Sequence, residues 1–395
     1  MTGAVPIWAA WLAVPAALIA HGGLMVAAYN RVNALAWPRW IIKSVTKIML
    51  AFTLVWPIVL AAVGEAGWDG FLARGDATEL PAWVVGYIAF ALGAGVVVGL
   101  RWVSTRPGVE RSDMRLHREV EVIDYRNAPD IGRTPQTRFW NRVPMNCHLE
   151  LSVERFDLPV RGWPAAWDGY RIAHLSDVHL TGDIGPDLIA GAVDRATRWR
   201  PDAMVLTGDI LDRARCADWI GDLFGGASAT DGCRFILGNH DDRVPDPDAT
   251  RAAMVDAGWI DVGGRVEEAT IRGEPVRWIG NEAPWFPPPE LSEGDDPAGV
   301  FRILVAHSPD QIDWARRRGV GLMFAGHTHG GQGRLPVAGP ILSPSRHGSR
   351  FASGDFHLPP TMMHVTRGLA GVHPVRVRCR PELSLLTIRS VPRDP

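Results

Sequence analysis

The first hundred residues alternate long apolar runs with short polar connections. Residues 7–29, 48–64 and 81–100 contain no Asp, Glu, Lys or Arg. Each run is close to the ~20 residues that a helix needs to cross ~30 Å of hydrocarbon. Tryptophans, which favour the membrane–water interface, stand near the ends of the runs at Trp8, Trp37, Trp40, Trp83 and Trp102. Buried core helices are the alternative, but this arrangement favours three transmembrane helices in a membrane domain of residues 1–105.

The charges beside these runs predict the orientation of the chain. The first connection carries four basic residues and no acid, whereas the second carries four acids against Arg74 alone. The third run is followed by Arg101, Arg106, Arg111, Arg115 and Arg118. Because basic connections are retained in the cytoplasm, we expect the N-terminus outside and the chain after Leu100 inside.

Residues 106–147 are polar, rich in Arg and interrupted by four prolines. This composition predicts a juxtamembrane linker. Its basic cluster is also suited to contact anionic lipid head groups.

From His148 onwards the pattern changes to short apolar segments, each followed by polar residues. The five clearest are YRIAHLSD, DAMVLTGD, CRFILGNH, FRILVAHS and GLMFAGHTH. Their apolar parts are too short for typical helices and rich in Ile, Val, Leu and Phe, which predicts buried strands. Pro186–Trp199 and Asp310–Arg318 have helical patterns between them. Strands alternating with helices define an α/β fold, which we assign to residues 148–395. The late segments MMHVTR, PVRVRC and LSLLTI lack clear intervening helices and predict a second sheet.

Overall charge and cysteine content exclude some classes of protein. The 41 basic residues are balanced by 43 acidic ones, so no basic excess indicates a nucleic-acid partner. The four cysteines form no C-x-x-C pair, which suits a reducing compartment.

Chemically reactive side chains follow each of the five predicted strands. They are Asp177, His179, Asp209, Asn239, His240, His307, His327 and His329. Alone, each has an ordinary explanation as a turn residue or a core histidine. Together they lie where parallel strands of α/β folds collect ligand sites. Oxygen and nitrogen donors without thiolate favour Mn, Fe or Zn. The number of donors suits two ions that share a carboxylate and activate water for phosphoester or pyrophosphate hydrolysis.

The order of these pieces resembles the calcineurin-like metallophosphoesterases. The motifs are D-x-H at residues 177–179, G-D-x-x-D at 208–212, G-N-H-D at 238–241, a lone His307 and G-H-x-H at 326–329. The resemblance implies two packed sheets flanked by helices. The longer stretches GHTHGGQGRLP and VTRGLAGVHPVRVRCRPELSLLTI are similar to the membrane-associated bacterial branch of the family.

The resemblance also implies roles for individual residues. One ion would be held by Asp177, His179, Asp209 and His329. The other would be held by Asp209, Asn239, His307 and His327, so that Asp209 bridges. His240 would contact the phosphate and protonate the leaving oxygen, with Asp241 as the candidate to orient it.

The sequence therefore predicts a membrane-anchored, two-metal phosphohydrolase in a bacterial inner membrane, with its catalytic domain in the cytoplasm. The membrane-associated branch resembles UDP-diacylglucosamine pyrophosphatases, which favours a lipid-linked phosphodiester or pyrophosphate. A phosphodiesterase for soluble nucleotides and a non-catalytic, metal-stabilised membrane scaffold are the alternatives. The oligomeric state is left open.

Overall fold

The structure is a computed structural model that describes residues 4–63, 65–104, 114–128, 131–291 and 299–392. The chain forms two compact units, Met1–Gly108 and Val109–Pro395. Arg106 and Arg111 of the predicted basic cluster lie outside the described residues.

The first unit consists of helices. They are α1 (Ile7–Val32), α2 (Arg39–Val63), α3 (Glu65–Arg74) and α4 (Ala82–Ser104). Helices α1, α2 and α4 are long and apolar enough to cross a membrane. Helix α2 begins nine residues before the predicted start, so Lys43 and Lys47 belong to its first turns. The short helix α3 was not predicted.

Helices α1 and α4 pack closely against each other. A Cβ added at Gly95 would lie 2.4 Å from the Cβ atom of Ala20, so only glycine permits this approach. Nδ1 of His21 on α1 forms a hydrogen bond with the Tyr87 hydroxyl on α4. This partner reduces the cost of placing an imidazole within an apolar bundle.

Within the described residues, the second unit is built from two large β-sheets, a separate two-stranded hairpin and five α-helices. Its strands are β1 (Leu116–Asp124), β2 (Glu150–Arg161), β3 (Tyr170–Leu175), β4 (Ala203–Thr207), β5 (Cys233–Ile236), β6 (Ile260–Asp261), β7 (Val266–Ile271), β8 (Glu274–Asn281), β9 (Phe301–Ala306), β10 (Leu322–Ala325), the hairpin β11 (Arg334–Leu335) and β12 (Gly339–Pro340), β13 (Gly354–Leu358), β14 (Thr361–Val365) and β15 (Glu382–Val391). Its helices are α5 (Pro135–Trp140), α6 (Asp187–Arg198), α7 (Trp219–Phe224), α8 (Pro247–Asp256) and α9 (Ile312–Arg317).

The sheets pack face to face. The first has strand order β1-β2-β15-β3-β4-β5-β6 and the second has order β13-β14-β10-β9-β8-β7. Alternate residues of one strand enter different cores. On β4, Val205 joins the core between the sheets, whereas Met204 and Leu206 join the core that includes residues of α6 and α7. Burial on both faces explains the nearly continuous apolar pattern of these strands. The predicted two-sheet α/β architecture with flanking helices is confirmed.

Two predicted segments differ from the structure. Strand β1 lies within the segment predicted as a linker and pairs antiparallel with β2, so residues 116–124 belong to the first sheet. Of the late segments, only MMHVTR enters the second sheet, as β14. LSLLTI lies in β15, which inserts between β2 and β3 of the first sheet. PVRVRC forms only isolated bridges at Val377.

The expectation that Arg115 faces lipid head groups is wrong. Its side chain is 4% exposed, and its guanidinium pairs with Glu154 (2.7 Å) and with Asp355. Glu154 also accepts from Arg118 (3.0 Å) and Arg367 (2.6 Å). The buried Glu154 carboxylate therefore joins the start of β1, strand β2 and the loop after β14 in one ionic cluster.

Replacing Glu154 with Ala is expected to lower the free energy of unfolding by roughly 3–5 kcal/mol, because it removes the shared partner of buried cations. Chemical denaturation followed by near-ultraviolet circular dichroism measures this loss. The control is Arg118→Ala, since the Arg118 side chain is 45% exposed. That change should cost about 0–1 kcal/mol. Equal losses in the two variants would contradict the assignment of Glu154 as the centre of the cluster.

Candidate metal centre

The predicted site residues come together at one edge of both sheets. Strands β3, β4 and β5 are mutually parallel in the first sheet, and β9 and β10 are parallel in the second. Asp177 and His179 follow β3, Asp209 follows β4, Asn239 and His240 follow β5, His307 follows β9, and His327 and His329 follow β10. The carboxyl ends of five strands therefore deliver all eight side chains to one region.

The backbone at these positions is strained. Asp177, His179, Asp209, His327 and His329 have φ between 49° and 67°. Non-glycine residues rarely adopt this left-handed conformation, although Asp and His tolerate it better than most. Five such residues in one site mark a functional constraint.

Two glycines beside the site, on the loops after β5 and β10, allow these loops to approach its carboxylates closely. A Cβ added at Gly326 would lie 2.5 Å from the Asp177 carboxylate, and one at Gly238 would lie 2.3 Å from the Asp209 carboxylate. Any larger residue would displace these carboxylates. The glycine-rich G-H-T-H turn is therefore required by packing against the site.

One group of potential ligands consists of Asp177, His179, Asp209 and His329. Nδ1 of His179 donates to Asp212 (2.7 Å), and Nδ1 of His329 donates to the Ala370 carbonyl (3.1 Å). In neutral rings both Nε2 atoms then carry lone pairs, yet they lie only 3.3 Å apart. Each is also 3.5 Å from a carboxylate oxygen, of Asp209 and Asp177 respectively.

The second group consists of Asp209, His307 and His327. Nδ1 of His307 donates to the Thr207 carbonyl (2.6 Å), which leaves a lone pair on Nε2. That nitrogen lies 3.1 Å from Asn239 Oδ1, 3.4 Å from Asp209 Oδ1 and 3.0 Å from His327 Nδ1. The side chain of Asn239 thus completes this group.

Both groups fit divalent cations. Carboxylate, amide and imidazole atoms with lone pairs converge in each group, and the buried Asp209 Oδ2 and His327 Nε2 have no hydrogen-bond partner among the described residues. Such an excess of buried acceptors is costly unless a cation neutralises it. Carboxylate, amide and imidazole donors suit Mn, Fe or Zn. The His/Asp clusters could hold metal, and Asp209 belongs to both.

The charges in the site shift the pKa values of its histidines in opposite directions. For His179 and His307, burial is outweighed by the neighbouring carboxylates, chiefly Asp212 and Asp209 respectively, and each pKa rises to about 9. Burial dominates at His329 and lowers its pKa to about 4. Neutral imidazole is the form that binds metal, so ion binding would compete with protons at His179 and His307.

His240 is oriented by Asp212 and not by Asp241. Its Nδ1 lies 2.5 Å from Asp212 Oδ1, while the other oxygen of Asp212 accepts from His179. Asp241 accepts from the backbone N–H groups of Ile210, Leu211 and Gly238, and it thereby joins the loops after β4 and β5. The G-D-x-x-D motif contains Asp212, but its orienting role was missed.

Two further residues border the site without any signal in the sequence. Trp285 packs against the rings of His307 (5.5 Å) and His327 (5.0 Å). Arg376 is 1% exposed, and its Nη2 lies 3.4 Å from His329 Nδ1. Arg367, in the loop after β14, pairs with Glu154 and Glu382.

Comparison with known proteins gives the same class as the site. The calcineurin-like phosphoesterase family model matches residues 170–331. The Bacillus subtilis metallophosphoesterase YkuE is 28% identical over 58% of this chain and 82% of its own length. A Bos taurus transmembrane protein with metallophosphoesterase domain is 26% identical over 86% of this chain and 81% of its own length. The Chlamydia muridarum UDP-2,3-diacylglucosamine pyrophosphatase LpxG is 24% identical over 60% of this chain and 90% of its own length.

The matched region, residues 170–331, includes every predicted metal ligand and His240. The family match and these relatives support the assignment of the protein as a metal-dependent phosphoester hydrolase. Its three candidate membrane helices and a transmembrane relative indicate association with a membrane.

Proposed function

We propose that the protein is a membrane-anchored phosphohydrolase with two metal ions, acting on a lipid-linked phosphodiester or pyrophosphate. The observation that carries the two-metal assignment is the pair of acceptor clusters sharing Asp209. One ion would be held by Asp177, His179, Asp209 and His329. The other would be held by Asp209, Asn239, His307 and His327.

When bound, two divalent ions acidify a water and neutralise the phosphoryl oxygens. The residues of the chain fix the remaining geometry. Asp212 holds Nδ1 of His240, which turns Nε2 away from that carboxylate. In the structure Nε2 accepts from Arg243 (2.8 Å). A protonated Nε2 would donate to the leaving oxygen, and the Arg243 guanidinium is close enough to contact the same phosphoryl group.

The lipid-linked substrate is supported by the membrane helices. One transmembrane helix already anchors a protein almost irreversibly, so three exceed what attachment requires. LpxG, a relative that matches over most of its length, is named for cleavage of the pyrophosphate of a diacylated sugar nucleotide. A substrate with acyl chains in the bilayer would be concentrated beside a tethered catalytic domain.

We expect kcat/KM for an acylated pyrophosphate, such as UDP-diacylglucosamine, to exceed that for its deacylated head group by at least about tenfold. This ratio corresponds to about 1.4 kcal/mol of differential transition-state binding. The full-length protein should be assayed on both substrates in mixed micelles with added Mn²⁺. Equal efficiency on both would favour the alternative, a phosphodiesterase for soluble nucleotides. No turnover of any phosphoester by metal-loaded protein would favour the non-catalytic scaffold.

We further propose that the catalytic domain lies in the cytoplasm of a bacterium, attached to the inner membrane. The basic first connection and acidic second connection support this orientation.

Cysteine labelling in intact cells tests the orientation. Ala73→Cys, on an exposed position of α3, should react with an impermeant thiol reagent, and Ala36→Cys, between α1 and α2, should not. The four native cysteines are buried and give little background. A reporter fused after Pro395 should behave as cytoplasmic. Labelling at Ala36→Cys together with an externally active reporter would reverse the orientation.

A further inference from the structure

Three segments of the second unit lie side by side next to the metal centre: residues 131–147, 330–346 and 367–380. Val377 bridges to Asn146 on one side and to Gly333 on the other. The backbone N–H of Arg334 donates to the Val377 carbonyl (3.1 Å), and Asn146 Nδ2 donates to the Pro374 carbonyl (2.9 Å). We call the surface that these segments present the arginine–apolar face.

Large apolar side chains protrude from this face into solvent. Val337, between β11 and β12, is fully exposed, Met145 is 78% exposed and Phe139 is 61% exposed. Leu335 and Leu342 are also exposed. Val337 and Met145 have φ of 64° and 65°, which is a strained conformation, especially for β-branched Val337. A fold that keeps strained apolar residues in water indicates an interaction surface.

The segments that carry these side chains contain basic residues and no acidic ones. Residues 131–147, 330–346 and 367–380 contain nine arginines and no Asp or Glu, although Arg346, Arg367 and Arg380 pair with carboxylates of other segments. Arg138, Arg142 and Arg378 are exposed and make no ion pair within the part of the chain that the structure describes. Apolar protrusions among unpaired arginines match the chemistry of an anionic lipid surface, which offers phosphates at the head groups and hydrocarbon beneath them.

The arginine–apolar face is continuous with the metal centre. Arg334 Nε donates to the carbonyl of Gly330 (3.1 Å), the residue after His329. From the other side, Arg376 Nη2 lies 3.4 Å from His329 Nδ1. A bilayer seated on this face would therefore lie beside the loop that supplies His327 and His329.

We propose that the arginine–apolar face docks on an anionic lipid bilayer. Phe139, Met145, Leu335, Val337 and Leu342 enter the boundary between head groups and acyl chains, and Arg138, Arg142 and Arg378 bind lipid phosphates. Docking is a property of the catalytic domain additional to its transmembrane anchor, and it does not depend on which phosphoester is cleaved.

The test uses the full-length protein in nanodiscs. Val337→Cys is labelled with an environment-sensitive fluorophore. The four native cysteines are buried, so the introduced cysteine is the thiol that reacts. Val255→Cys, on the 50% exposed position of α8 outside the face, is the matched control. In phosphatidylglycerol nanodiscs, lipids brominated on the acyl chain should quench the probe at position 337 and not the probe at 255. Adding Arg142→Gln and Arg378→Gln should lower the ratio of docked to undocked protein about fivefold per arginine, the factor equivalent to about 1 kcal/mol each.

Three outcomes would overturn docking. The first is no quenching at position 337, and the second is equal quenching at positions 337 and 255. The third is quenching at 337 that stays the same when phosphatidylcholine replaces phosphatidylglycerol and when Arg142 and Arg378 are substituted. A blue shift at 337 without bromine quenching would assign the face to a protein contact, such as a second copy of the chain. Because the measurement needs no turnover, His240→Gln protein, which should keep its metal, should dock normally. Failure of docking is therefore separate from failure of the proposed hydrolysis.

Discussion

Replacing Asp209 with Asn is expected to remove metal from both clusters and reduce hydrolysis to near background. The Asp209 carboxylate is 1% exposed, contacts His179 through one oxygen and His307 through the other, and belongs to both groups of ligands. Asn preserves the shape and can still accept the His240 N–H bond at Oδ1. The variant therefore isolates the loss of the negative charge that both cations would share. Metal analysis of purified protein and a phosphodiester assay measure the two effects.

His307→Ala provides the comparison, because His307 belongs to the second cluster alone. We expect this variant to lose one ion and to retain the other. The bridging role of Asp209 would be excluded if Asp209→Asn protein kept two ions and most of its activity.

His240→Gln should separate catalysis from metal binding. If His240 donates the proton to the leaving oxygen, its loss should reduce the rate by roughly 10²–10⁴ on a substrate with a poor leaving group. The penalty should be much smaller for a nitrophenyl ester, because nitrophenolate departs without a proton. Metal content should stay close to that of the unmodified protein. Steady-state kinetics on the two substrates provide the measurement.

Asp212→Asn refines this experiment. Its carboxylate orients His240 through one oxygen and the proposed ligand His179 through the other, and removing such a partner of a metal ligand typically costs 10–100-fold in metal affinity or activity. Asp212→Asn should therefore weaken metal binding and catalysis together, whereas His240→Gln should affect only catalysis. Equal penalties for both leaving groups in His240→Gln would mean that His240 positions substrate and is not the acid.

The sequence predicted the strands of the α/β domain because the central strands are buried on both faces and their apolar patterns are nearly continuous, whereas the two packed sheets were implied by the family resemblance. The site could be predicted as well, because polar residues follow each of these strands in the sequence. The carboxyl ends of parallel strands lie at the same edge of a sheet, so these polar residues must come together there. Strand β1 was missed for the opposite reason. Its sequence LHREVEVID has no buried face, and all but one of its residues are exposed.

Other differences arise from contacts between residues distant in the sequence. The basic composition around Arg115 predicts a contact with lipid, but its actual partners, Glu154 and Asp355, lie 39 and 240 positions away in the sequence. Asp241 is adjacent to His240, yet its side chain turns to backbone N–H groups, while Asp212 reaches the ring from another loop. Adjacency in sequence therefore did not identify the partner of a side chain. Nor did the pattern of LSLLTI distinguish the two sheets, because all but one of its six residues are buried, as in the central strands of either sheet.

The potential ligands come from both sheets: Asp177, His179, Asp209 and Asn239 from loops of the first, and His307, His327 and His329 from loops of the second. Ion binding would therefore hold the loops of the two sheets together at this edge and would be coupled to folding. At free metal about a hundredfold above the dissociation constant, one bound ion adds about 2.7 kcal/mol to the stability of the folded state. Cellular metal supply would thus set how long the protein survives proteolysis, as well as how fast it turns over substrate.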